Sequence, residues 1–159
     1  MKKSVGLACF ILLCLGIGMA GGLFTETSVN TWYPTLIKPS WNPPKWVFAP
    51  VWTVLYILMG ISLWLIWLKK ASPNHQLAYA LFGLQLGLNF LWSILFFYKQ
   101  SPMLALIDLS LLWTVVTVML LIFARISSLA ALLQIPYLAW LTYAWSLNCA
   151  IFFLNSRAS

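Results

Sequence analysis

Trp32-Tyr33-Pro34-Thr35-Leu36-Ile37-Lys38-Pro39-Ser40-Trp41-Asn42-Pro43-Pro44-Lys45-Trp46 runs without a break into an apolar segment that carries Pro50, Trp52 and Tyr56. Five prolines fall between residues 34 and 50. Each removes a backbone N–H and restricts the residue before it, so this stretch cannot belong to a spanning helix. Four tryptophans and a tyrosine lie between residues 32 and 52, too many flat rings for an idle solvated linker. The expectation is a stiff aromatic loop at a bilayer surface, acting as a lid over a pocket for a large apolar ligand.

Everything around that loop reads as hydrocarbon. The chain is 63% hydrophobic and 7% charged, with mean hydropathy +0.94, far outside the range of soluble domains. Its 159 residues make a single domain spread over the whole length. Nine basic residues against two acidic ones give a net charge of +7. The basic residues stand in ones and twos between apolar runs, which suits interfacial anchors and headgroup contacts and argues against a nucleic-acid partner. Cys9, Cys14 and Cys149 all lie inside apolar runs without CxxC spacing and read as small packing residues.

Outward from the loop, the punctuation gives five spans. The first covers about 4–24, after Lys2-Lys3. Gly18-Met19-Ala20 resembles a signal cleavage site, but the apolar run exceeds a signal core and favours a retained span. The others cover about 46–68, 76–98, 103–124 and 129–154, each stopped by Lys, Arg, Pro, Ser or Asn. No window alternates as a strand does, and backbone groups in lipid must be satisfied within helices or closed barrels. The fold class is therefore all-α, a five-helix transmembrane bundle. Orientation is left undecided: five basic residues fall on the N-terminal side and four on the other.

Inside the third span Gln85, Asn89 and Trp92 share one helix face, at i, i+4 and i+7. Gly83 and Gly87 lie roughly 200° away at about 100° per residue, a smooth stripe suited to dimer contact. The fifth span carries a second stripe of Tyr137, Trp140, Ala144, Leu147 and Asn148, with Pro136 one turn into the helix and a kink expected there. Gln85, Asn89 and Asn148 are candidates to satisfy the indole N–H groups of Trp52, Trp92 and Trp140, or to bind a ligand's polar groups. Asp108, two turns into the fourth span, is an intramembrane carboxylate whose reading leans to structure over function. Glu26 reads as solvated, and His75 stands alone without metal-ligand neighbours. No nucleophile–base set or paired carboxylate is present, so conventional catalysis has no visible machinery. Coupled transport lacks its usual buried charges and inverted repeat.

Together these residues resemble the TspO family, the tryptophan-rich sensory or translocator proteins also known as peripheral-type benzodiazepine receptors. The carrying segments are Trp32-Tyr33, Lys38-Pro39-Ser40-Trp41-Asn42-Pro43-Pro44, Trp52 with Tyr56 and Met59-Gly60, Leu88-Asn89 with Trp92, Phe96-Phe97, Pro136-Tyr137 with Trp140, Ala144 and Leu147-Asn148. The match covers nearly the whole chain. It implies five tilted helices around a pocket capped by the first loop, commonly in a homodimer, in a bacterial plasma membrane. It implies binding of porphyrins such as protoporphyrin IX, and of isoquinoline-carboxamide and benzodiazepine-type ligands. Pocket positions carry over to Trp32, Tyr33, Pro43, Pro44, Trp52, Asn89, Trp92, Trp140, Ala144 and Leu147, with Asn148 added from the stripe.

The leading expectation is a membrane receptor or sensor for flat tetrapyrroles, with no covalent cofactor and no metal. Trp52, Trp92 and Trp140 would stack on such a ring while Asn89, Asn148, Trp32 and Lys38 meet its polar edge. Some bacterial members are associated with light- and oxygen-dependent porphyrin breakdown. That chemistry would fall to Trp52 and Trp140 here, without acid–base groups. The alternative is a transporter of tetrapyrroles or sterol-like lipids. Animal members carry a tyrosine before an arginine near the end of the fifth helix; residues 150–157 offer phenylalanine instead, so the resemblance does not extend to that steroid-recognition segment.

Overall fold

Helix boundaries follow the proline and polar punctuation closely. The computed structural model describes residues 3–70 and 73–156. Helix α1 (Lys3–Glu26) leads into the loop, which contains a single 3₁₀ turn at Tyr33–Thr35. Helix α2 (Lys45–Trp67) starts directly after Pro44, whose extended backbone marks its N-terminus. Helix α3 (His75–Ser93) continues into a π-helical turn at Ile94–Tyr98, and Gln100 then takes a positive φ of 52°. Helix α4 (Pro102–Ile126) is capped by the Ser101 hydroxyl, with Pro102 in the first turn where its missing N–H costs nothing.

The fifth span departs from a simple kink. A short helix α5 (Ser128–Leu132) ends before Leu133 and Gln134, and helix α6 (Ile135–Ser156) begins anew. Pro136 therefore occupies the second position of a helix, where no N–H is required, and not the interior of one. A continuous helix would have set the proline ring against the Leu132 carbonyl; a full break is the cheaper answer. Counting α5 and α6 as one span, five helical segments among the described residues are long and apolar enough to cross a membrane.

In lipid, helix association rests on close packing and polar contacts, because tails are as apolar as leucine. Helix α1 packs on α2 and α3, α3 on α4, and α4 on α6, while α5 closes the ring onto α2. Gly60 makes the first contact possible: a Cβ there would lie 2.6 Å from the Ile11 Cα. Met59, Ile66, Phe82, Leu109, Val116, Met119, Phe123 and Leu141 fill the centre, whereas Leu12, Leu23 and Leu121 face outward as lipid-facing residues should. The loop-side halves of α2 and α6 make almost no close backbone approach. Aromatic side chains occupy that gap instead, and there the cavity lies.

Candidate functional site

The lid is pinned from several sides. Asn155, near the end of α6, pairs with Ile37 as a neighbouring strand would: Ile37 N–H donates to Oδ1 and Nδ2 donates to the Ile37 carbonyl, both at 3.0 Å. Tyr143 donates to the Trp41 carbonyl at 2.7 Å, and Ser28 donates to the Phe97 carbonyl at 2.6 Å. Tyr33 is buried over Phe96 and Phe97 and donates to Asn42 Oδ1 at 2.7 Å. Burial pushes its phenol pKa up; the Asn42 bond lowers it and nearby Tyr143 adds to the rise. The π turn matters here, because its extra residue per turn lets the consecutive Phe96 and Phe97 both bury beneath the lid.

Under the lid is a cavity of about 410 Å³, within the usual range for small-molecule sites. Three indoles form much of its wall. Trp52 meets Trp140 edge to face at 6.5 Å and stacks on Tyr56 at 5.6 Å; Trp92 stacks on Phe96 at 5.1 Å. Ala144 and Leu147 supply the low ground beside Trp140. A methyl on Gly18 of α1 would collide with the Tyr56 ring at 2.2 Å, so glycine there is what lets the ring lie against α1.

A buried polar chain anchors this wall. Tyr56 donates to Asn89 Oδ1 at 2.5 Å, Asn89 Nδ2 donates to the Tyr137 hydroxyl at 3.0 Å, and Tyr137 donates to Gln85 Oε1 at 3.0 Å. One amide thus ties α2, α3 and α6 together. Asn148 does similar work one level nearer the lid, accepting from Trp92 Nε1 at 3.2 Å and donating to the Pro102 carbonyl at 2.8 Å. Asn148 is the amide that satisfies an indole.

Of the sequence-selected positions, Tyr33, Trp52, Asn89, Trp92, Trp140, Ala144, Leu147 and Asn148 converge on the cavity. Trp32, Pro43 and Pro44 do not line it. Trp32 packs edge to face on Phe96 at 5.6 Å, Asn42 bonds the Pro43 carbonyl, and Pro44 starts α2, so all three belong to the lid's frame. Lys38 also stands apart: its ammonium donates to the carbonyls of Tyr33, Leu36 and Pro34 and holds the lid's backbone turn. Glu26 is exposed, in keeping with its reading as a solvated residue, but it ends α1 and borders the cavity together with Lys45. Asp108 is buried against the core with neither carboxylate oxygen hydrogen-bonded, away from the cavity wall. Gly83 and Gly87 are exposed, with open space where their Cβ atoms would be.

Sequence reading missed the contribution of α1, whose Leu15, Gly18, Met19 and Gly22 line one side. That helix is apolar throughout, so no stripe marks the face turned to the cavity.

A five-helix membrane bundle with an aromatic cavity beneath an ordered polar lid defines an integral, multi-pass membrane protein of the ligand-pocket type. The TspO/MBR family model matches residues 10–154, and the chain belongs to that family. It is 46% identical to a tryptophan-rich protein TspO of Chlorobaculum tepidum over 97% of this chain and 98% of the relative. It is 36% identical to a human translocator protein (91% and 82%), and 34% identical to a tryptophan-rich sensory protein of Cereibacter sphaeroides (92% and 89%).

Proposed function

We propose that this protein is a receptor for flat, largely apolar tetrapyrroles of the protoporphyrin IX kind, held between the indoles of Trp52, Trp92 and Trp140 in a bacterial plasma membrane. One observation carries the reading. The cavity's walls are aromatic, while the side-chain polar groups of Asn89, Asn148, Tyr56 and Tyr143 are already bonded to protein. An interior of that kind asks its guest chiefly for planar apolar surface, with the Ser93 hydroxyl and the indole N–H groups of Trp52 and Trp140 as its remaining donors. Isoquinoline-carboxamide and benzodiazepine-type compounds meet the same requirement. The family's sensory and translocator names fit a protein whose business is ligand recognition.

Titration of purified protein with protoporphyrin IX, read by quenching of tryptophan fluorescence, tests the site. Saturable quenching that the Trp52→Ala/Trp140→Ala variant weakens by at least tenfold supports the assignment. Equal affinity in wild type and variant, after scaling each curve to its own amplitude, removes it.

A second reading is photochemical and draws on the contact of Trp52 with Trp140 and Tyr56, three oxidisable rings within 6.5 Å of a neighbour. A light-excited tetrapyrrole can take one electron from such an indole or pass energy to oxygen, and neither step requires an acid or a base. Illumination with and without oxygen, followed by absorption spectroscopy, separates breakdown from passive binding; equal loss in protein-free detergent counts against it. The open Gly83–Gly87 face is proposed as the contact with a second copy in the membrane.

A further inference from the structure

Among the described residues, Lys45 is the one cation on the cavity's boundary. Its ammonium donates to the Val29 carbonyl at 2.9 Å and to Asn30 Oδ1 at 3.2 Å. Both partners are uncharged, so its positive charge is not neutralised by them, and one of its three protons is uncommitted. Lys38, the other lysine of the lid, spends its donors on three backbone carbonyls. Burial lowers the Lys38 pKa, and the field of Lys45 lowers it further. At the end of α1, exposed Glu26 borders the same cavity.

The rim therefore differs from the interior. Along the cavity wall the hydroxyl protons of Tyr56, Thr53 and Thr25 go to protein oxygens, and both amide groups of Asn89 and Asn148 are engaged. An anionic group buried there would lose its water and meet only neutral donors, the Ser93 hydroxyl and the indole N–H groups of Trp52 and Trp140, with no opposite charge to compensate its own. At the rim it meets an ammonium with donor capacity and keeps part of its hydration.

We propose that Lys45 is the specificity-determining residue of this site: it receives an anionic group at the edge of an otherwise apolar planar ligand and fixes which end of the ligand enters first. Glu26 opposes it and disfavours a second anion on its side of the opening. The inference rests on the cavity being the ligand site, and it adds a preference for carboxylate-edged over neutral rings.

The experiment compares protoporphyrin IX with its dimethyl ester in a neutral detergent at low salt. The ester keeps the ring and removes both charges. Wild type, Lys45→Met, Lys45→Glu, Lys45→Arg, Glu26→Gln and Asn30→Ala are titrated by fluorescence quenching. The expected result is a loss of acid affinity by about fivefold for Lys45→Met and on the order of tenfold for Lys45→Glu, as for a partly exposed charge pair. Ester affinity stays constant across the series, Lys45→Arg restores the acid, and Glu26→Gln tightens it. Added salt shrinks the difference. Asn30→Ala disturbs the Lys45 tether without removing the charge, so preserved acid-over-ester preference there separates charge from lid anchoring. Equal losses for acid and ester in the Lys45 variants, or no loss for either, overturn the proposal. Failure of both compounds to bind wild type would strike the ligand assignment itself, a distinguishable result.

Discussion

Replacing Asn89 with leucine is the sharpest probe of how the cavity wall is held. The side chain keeps its approximate volume and loses both polar atoms. Tyr56 then has no acceptor for the bond now 2.5 Å long, and Tyr137 loses one of its two amide contacts while keeping Gln85. Interhelical hydrogen bonds in bilayers contribute about 0.6 kcal/mol on average and about 1.7 at most. A stranded buried hydroxyl adds about 1–3 kcal/mol. The sum is a loss of roughly 2–4 kcal/mol, or a fall of roughly 5–15 °C in Tm for a chain of this size. Thermal unfolding in mild detergent, followed by tryptophan fluorescence, reads it directly. A double-mutant cycle with Tyr56→Phe isolates the bond: removing both partners should cost little more than Asn89→Leu alone, because no donor is left orphaned. If the two losses add to within about 0.5 kcal/mol, the Tyr56–Asn89 bond is not a structural link and the reasoning fails.

Three further outcomes follow from the same geometry. Gly60→Ala puts a methyl against the Ile11 backbone, which has no side-chain tip to move aside, and should cost about 1–3 kcal/mol or more, whereas Gly83→Ala meets nothing and should leave monomer Tm within about 1 °C. Gly18→Ala displaces the Tyr56 ring and should weaken tetrapyrrole quenching at least severalfold, while Gly16→Ala, with open space at its Cβ and off the cavity wall, should not. The raised pKa of Tyr33 means the folded lid holds its phenol proton more tightly than the unfolded chain does. The stabilisation is full below pH about 10 and is lost as pH rises through the folded value. Protease resistance of the lid should fall over that alkaline range, and Tyr33→Phe should remove that step; an identical pH profile in the variant would rule out the role given to Tyr33.

Much of this architecture was legible because lipid leaves so few choices. Long apolar runs interrupted at Lys69-Lys70, Pro102 and Ser127-Ser128 can only be helices, and the prolines between 34 and 50 can only be loop. The polar stripe of Gln85, Asn89 and Trp92 pointed inward for the same reason, and Gly83 and Gly87 stayed outside. Other features left no mark in one dimension. The π turn at Ile94–Tyr98 depends on how Phe96 and Phe97 fit under the lid, and Gly18 gains its purpose only when Tyr56 arrives from another helix. Lys38 and Lys45, seven residues apart with the same charge, were indistinguishable until their acceptors were seen. Pro136 announced a disturbance, but the choice between kink and break rested on the two residues before it.

The central claim is that a planar ligand occupies the space beside Trp140, between the indoles. Ala144→Phe fills that space from α6, where Ala144 is only partly buried and borders the cavity, without touching the Tyr56–Asn89–Tyr137 chain. Protoporphyrin IX titration of this variant should show saturable tryptophan quenching abolished while Tm stays within a few degrees of wild type. Undiminished affinity in a folded Ala144→Phe protein would contradict the account, because the ligand would then have to bind somewhere else.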